Sequence, residues 1–144
     1  MIFATRAAVA AIALTCLPVL APASAQADTA RSLYVKVYEG NVPAKDLFNS
    51  DPYVSVTVCE EKAQTPVDDD TTRPRWHWSY TFKNVTPACR IKFHVYDSDS
   101  PVHDDDLGQI QMTVGQFLYN NEDKRQTLRA GDSYIEVKAR WETS

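Results

Sequence analysis

Three observations in this amino-acid sequence predict an all-β fold, a two-layer antiparallel sandwich. Short segments alternate apolar and polar residues, clusters of turn residues separate them at regular intervals, and no stretch of helical period is long enough to rival them. Successive side chains of a strand point to opposite faces, so a period of two marks a segment that buries one face and wets the other. Leu33, Val35 and Val37 share one face of a first strand over residues 33–38, and Val54, Val56 and Val58 share one face of a second over 53–58. A weak strand is expected near Glu61 to Val67. Trp76, Trp78, Tyr80 and Phe82 alternate along another, and Ile91, Phe93 and Val95 alternate against Lys92, His94 and Tyr96. The stretches Gly108–Val114 and Tyr134–Trp141 complete the visible set. Seven or eight strands at this spacing suggest a sandwich. Between them, Gln116 to Asn121 has room for one helical turn, and Asn120 to Lys124 is a polar loop.

The first 25 residues have the layout of an export signal rather than of a domain. Arg6 is their only charge, and Ala7 to Leu20 is a run of fourteen residues too short to span a bilayer. Pro18 and Pro22 break it, and Ala23-Ser24-Ala25 offers the small side chains that a signal peptidase requires, which places the cut between Ala25 and Gln26. Lipid attachment at Cys16 is the minor alternative. Residues 26–32 are expected to form a loose leader and residues 33–142 one domain, enough chain for a two-layer core.

Loss of Arg6 takes the net charge from −4 to −5, and no run of basic residues is long enough to form a patch for nucleic acid. Loss of Cys16 leaves Cys59 and Cys89, an even count that favours a disulfide in an exported chain. No Gly-x-Ser-x-Gly elbow, His-Glu-x-x-His or glycine-rich phosphate loop is present, and no base, nucleophile and oxyanion donor can be named, so an enzyme is not expected. Trp76, Trp78 and Trp141 are read as core or sheet surface, His94 as an exposed or hydrogen-bonded strand residue, and His103 as an ordinary loop residue.

The informative residues are aspartates at strand ends: Asp46 and Asp51, then Asp68 to Asp70, then Asp97, Asp99, Asp104, Asp105 and Asp106. So many carboxylates in three loops repel one another unless a counter-charge joins them, and hard oxygen ligands point to calcium. Cysteine and histidine spacing offers no competing zinc site.

Four stretches carry a family resemblance: Ser50-Asp51-Pro52-Tyr53-Val54, Thr72-Arg73-Pro74-Arg75-Trp76, Val95-Tyr96-Asp97-Ser98-Asp99 and Asp105-Asp106-Leu107-Gly108. In this order and at this spacing the chain resembles the C2 domain of synaptotagmin, protein kinase C and perforin, from about Leu33 to Trp141. The resemblance implies an eight-stranded Greek-key sandwich with metal-binding loops at one end. It implies Asp46 and Asp51 in the first loop and Asp97, Asp99 and Asp105 in the third as ligands of two or three calcium ions, with Asp104 as the spare. Asp46 and Asp51 are five residues apart where the family's pattern has six.

Cys59 lies eight residues after Asp51 and Cys89 eight before Asp97, so both pairs of numbers sum to 148. An antiparallel register that sets Asp51 beside Asp97 therefore also sets Cys59 beside Cys89. Apolar residues flank the ligands: Leu47 and Phe48 in the first loop, Pro101 and Val102 in the third. Calcium would cancel the loop charge and let these tips enter a phospholipid surface. The expected function is thus a secreted module, periplasmic in a bacterium, that docks peripherally on phospholipid membranes when calcium is bound. The alternative is a calcium-stabilised protein-binding or adhesion module, with another secreted protein as its partner.

Overall fold

The computed structural model describes residues 28–44, 49–99 and 103–143. The expected signal, Asp46, Leu47, Phe48, Pro101 and Val102 lie outside them. Eight strands and one short helix follow in order: β1 (Arg31–Asn41), β2 (Pro52–Val58), β3 (Glu61–Gln64), β4 (Arg75–Val85), β5 (Arg90–Asp97), β6 (Asp105–Thr113), α1 (Val114–Leu118), β7 (Gln126–Ala130) and β8 (Ser133–Trp141). They form two four-stranded sheets, ordered β4-β1-β8-β7 and β3-β2-β5-β6, with every pair antiparallel. The expected sandwich is the observed one.

The alternating residues supply the core. Leu33, Val35 and Val37 of β1 and Ile135, Val137 and Ala139 of β8 face Val54, Val56 and Val58 of β2 and Ile91, Phe93 and Val95 of β5, all buried. Phe93 packs on Phe117 of α1 with ring centroids 5.6 Å apart. Tyr80 has the same parity as buried Phe82 yet is 37% exposed, because β4 is an edge strand and its neighbouring layer does not cover the whole row.

Local chemistry moves several boundaries. Arg31 and Ser32, expected in the leader, belong to β1, since Arg31 pairs with Val85 and the Glu142 amide donates to the Ser32 carbonyl. The helix begins at Val114, two residues before the expected turn, because Thr113 and Gln116 form a capping box there: the Thr113 hydroxyl accepts from the Gln116 amide and the Gln116 side chain accepts from the Thr113 amide. Strand β7, which alternation did not locate, pairs with β8 from Gln126–Val137 to Ala130–Ser133.

The β2–β5 register also differs from the expected one. Pro52 faces Asp97 and Val58 faces Ile91, so paired numbers sum to 149 instead of 148. The offset arises at the ladder's ends. Cys59 turns out of the strand with φ of 56°, donates its amide to Arg90 and bonds Cys89 across a Cα–Cα distance of 4.9 Å. Closing a loop of sequence separation 30 contributes about 3–4 kcal/mol by restricting the unfolded chain. Asp51, at the other end, meets Asp97 through its backbone amide rather than as a rung.

Three loops converge beyond the ends of β1, β3 and β5, and backbone bonds stitch them. Asp68 donates to the Pro52 carbonyl, Thr71 to Ser50, Val42 to Thr72 and Ser98 to Asp51, all at 2.8–3.0 Å. Buried Trp76 adds its indole N–H to the same Pro52 carbonyl at 3.0 Å, so this oxygen anchors both the second loop and the start of β4.

Between Val95–Gly108 and Tyr96–Asp106 the β5–β6 ladder shifts by one residue, with Leu107 as the extra residue. Leu107 is buried, its carbonyl accepts the Ser133 hydroxyl at 2.8 Å, and Gly108 takes φ of +124°. A Cβ at Gly108 would lie 1.9 Å from the Ala130 carbonyl oxygen. Gly108→Ala is expected to cost at least about 1–3 kcal/mol, read as a lower midpoint in urea unfolding with an unchanged slope.

Candidate metal site at the loop end

Asp97, Asp99 and Asp105 each bring a carboxylate oxygen to within 4.8 Å of the other two. Asp97 closes β5, Asp105 opens β6 directly opposite it, and Asp99 follows two residues into the third loop. The bulge at Leu107 selects the partner. Without the extra residue the register of Val95–Gly108 would continue and set Asp106 opposite Asp97; with it, Asp105 takes that place and Asp106 falls in the row of Tyr96, on the outer face.

Asp97 is only 4% exposed, and its Oδ1 accepts the Asp51 amide at 2.7 Å. A buried carboxylate beside two others, with one hydrogen bond from this backbone amide, is costly unless a cation joins it. The donor set, all carboxylate oxygen at the mouth of three loops, fits a hard divalent cation such as calcium, which takes six to eight oxygens. Asp97, Asp99 and Asp105 are the residues that would hold it.

Asp51 stands at the rim of this group, where its Oδ1 accepts the Asp70 amide at 2.6 Å and ties the second loop to the first. Asp68 caps the start of β4, accepting the Arg75 amide at 2.8 Å. Asp104 is not among the three: its Oδ2 accepts the Tyr53 hydroxyl at 2.5 Å and its Oδ1 the Asp99 amide at 3.3 Å. Asp46 lies outside the described residues.

On the outer face, Tyr53 stacks on Tyr96 with centroids 5.3 Å apart, and Tyr96 stacks on His94 at 4.0 Å. The Tyr96 hydroxyl lies 2.8 Å from His94 Nδ1, and His94 Nε2 makes a close contact of 3.0 Å with Asp106 Oδ1. This row was not read from the sequence as a unit. Its signal was the shared parity of His94 and Tyr96 on β5, which the acidic residues on the neighbouring strand then complete. Burial first, then the hydrogen bond to Asp104 and its charge, push the Tyr53 phenol up to about 12. Burial, followed by the charges of Asp106 and Asp104, raises Tyr96 as well.

A family model described as the C2 domain matches residues 31–130. The chain belongs to the C2 domain family. C2 domains are in general calcium- and lipid-binding modules, and this one shares its fold with a single C2 domain of plant extended synaptotagmin 1 (TM-score 0.62, 18% identity, 81% of this chain and 98% of that one). It likewise resembles the calcium-bound pair of C2 domains of extended synaptotagmin 2 (TM-score 0.67, 22% identity, 78% of this chain and 46% of that one). Among relatives by sequence, GTPase activating protein 1 of Oryza sativa subsp. indica is 36% identical over 81 residues, 56% of this chain and 48% of the relative. Protein C2-DOMAIN ABA-RELATED 1 of Arabidopsis thaliana is 32% identical over 78 residues, 54% of this chain and 46% of the relative. The chain spans about half the length of these relatives.

The tyrosine row sets a pH dependence. A phenol whose folded pKa is raised favours its neutral form in the native state, so its contribution to stability is fully present below pH 10 and is lost as pH rises toward about 12. In calcium-free buffer, Tyr53→Phe is therefore expected to flatten the alkaline fall of the urea midpoint over that window relative to the unchanged protein.

Proposed function

We propose that this C2 domain is an exported, non-catalytic calcium-binding module that docks peripherally on phospholipid membranes when calcium is bound. The convergence of Asp97, Asp99 and Asp105 carries the reading: their oxygens lie within 4.8 Å of one another at the end of the sandwich, where ligands from the first loop can join them. Asp51, held beside Asp97 by its own amide, is the nearest further donor, and Asp46 completes the set by sequence.

Calcium supplies the counter-charge and, with positions left open, a place for lipid phosphate. The chain's own residues do the rest. Asp97 provides a rigid, buried anchor; Asp99 and Asp105 close on it from the loop and from β6. Leu47, Phe48, Pro101 and Val102 belong by sequence to the first and third loops and would meet the acyl boundary once the charge is cancelled, each large side chain adding up to roughly 1.5–3 kcal/mol of burial.

Docking at the loop tips is favoured over docking on the outer face of the β4-β1-β8-β7 sheet because the cations there are already matched by carboxylates, Arg125 by Glu39 and Glu136, and Lys138 and Arg140 by Asp123. The Arg140 guanidinium lies 4.1 Å over Tyr34 and that of Arg125 4.2 Å over Tyr38, so these rings are already capped. No helix among the described residues is long and apolar enough to cross a membrane. The disulfide agrees with an oxidising compartment, and the proposed cut after Ala25 supplies the route.

Calorimetric titration is expected to give calcium dissociation constants on the order of 0.1–1 mM, the range of extracellular sites. Vesicles are expected to sediment the protein only with calcium, and Asp97→Asn with Asp99→Asn to lose both properties. Phe48→Glu with Val102→Glu is expected to keep calcium and lose the vesicles. If calcium binds and vesicles are ignored, the protein-binding alternative stands in its place; if no calcium binds at millimolar levels, the ligand assignment falls.

A further inference from the structure

We propose that Tyr53, on the outer face of β2, is a positioning residue for the metal loop, acting through Asp104, which serves as a strut and not as a ligand. The inference rests on the calcium reading above and deepens it.

Asp104 has each of its two oxygens engaged by the protein. Oδ2 accepts the Tyr53 hydroxyl at 2.5 Å, and Oδ1 accepts the backbone amide of Asp99 at 3.3 Å. A charge-assisted O–H···O bond of this length is among the stronger hydrogen bonds a side chain makes. It joins residues 51 apart in sequence, a rigid strand to the last residue before β6. The second bond passes that constraint to Asp99, the one member of the acidic trio that sits in the loop instead of on a strand.

The Tyr53 ring is itself held. It stacks on Tyr96 at 5.3 Å and 21°, and Tyr53 pairs with Tyr96 across the β2–β5 ladder. The loop is fixed at its other end by the Ser98 amide on the Asp51 carbonyl at 2.9 Å. Asp99 thus lies between two tethers, one of which reaches over the edge of the sheet from the face opposite the metal cluster. Groups that orient a ligand without touching the metal reduce the ordering required on binding, and their removal typically weakens metal affinity about 10- to 100-fold.

The test is a double-mutant cycle on the purified protein, reading calcium affinity by calorimetry and thermal unfolding in chelator. Tyr53→Phe keeps the stack and removes only the hydroxyl; it is expected to weaken calcium binding about tenfold, and to lower the unfolding midpoint in chelator while leaving the protein folded at the titration temperature. Asp104→Ala is expected to weaken binding at least as much, and Tyr53→Phe added to it to cost nothing further, because the tyrosine acts only through that carboxylate. Equal losses from Tyr53→Phe on both backgrounds would overturn the inference, as would unchanged or tighter binding by Tyr53→Phe, the result expected if Asp104 were a ligand released by the substitution. Unchanged protein that fails to bind calcium overturns this inference together with the proposed function; unchanged protein that binds while Tyr53→Phe binds equally well overturns this inference alone.

Discussion

The end of β5 is the point on which the loop architecture depends. Asp97 is the last rung of two ladders at once, opposite Pro52 of β2 and opposite Asp105 of β6. From Pro52 the carbonyl reaches the second loop and Trp76, and from Asp51 the backbone reaches the third loop. The buried core behind these rungs holds them in register, since a slip of one residue would turn Val54, Val56 and Val58 out of the core. Core burial is therefore what keeps three carboxylates together against their own repulsion.

That repulsion is large. Two unit charges at 4.8 Å with an effective dielectric of 20 repel by roughly 3 kcal/mol, and each of three pairs contributes. One such pair is comparable to the whole disulfide term. A sequence that places such repulsion at one end, and uses a bulge, a positive-φ glycine and a buried serine to hold Asp105 in place, accords with the cation proposed for this end. The same bulge sends Asp106 to the outer face, where it meets His94 instead. Two adjacent aspartates enter different chemistries because successive strand residues face opposite ways, and the extra residue decides which of the two stands opposite Asp97.

Much of the fold was legible because one rule governs it: half-buried strands alternate. Strands β1, β2, β4, β5 and β8 carry at least three alternating apolar residues each and were located within a few residues of their ends. Strand β7 was not, because only Leu128 and Ala130 alternate in it and its existence depends on pairing with β8. The helix was displaced because its start is set by the Thr113–Gln116 cap, a signal of two polar residues beside a strand that hides it. The one-residue error in the β2–β5 register came from treating Asp51 and Cys59 as rungs, whereas both lie just past the ladder, one in a loop and one in a left-handed turn.

The candidate site divides along the same line. Residue type and charge marked the acidic loops, and the resemblance to the C2 pattern picked Asp97, Asp99 and Asp105 out of them; these three come together in the fold. Which oxygens remain for a metal was not readable. Asp51 and Asp104 have the right type and place, yet one is bonded to Asp70 and the other to Tyr53 and Asp99, partners between 5 and 51 residues away. Alternation is a local property and survives in one dimension; the assignment of a carboxylate's lone pairs depends on which distant donors the packed sheets bring to it.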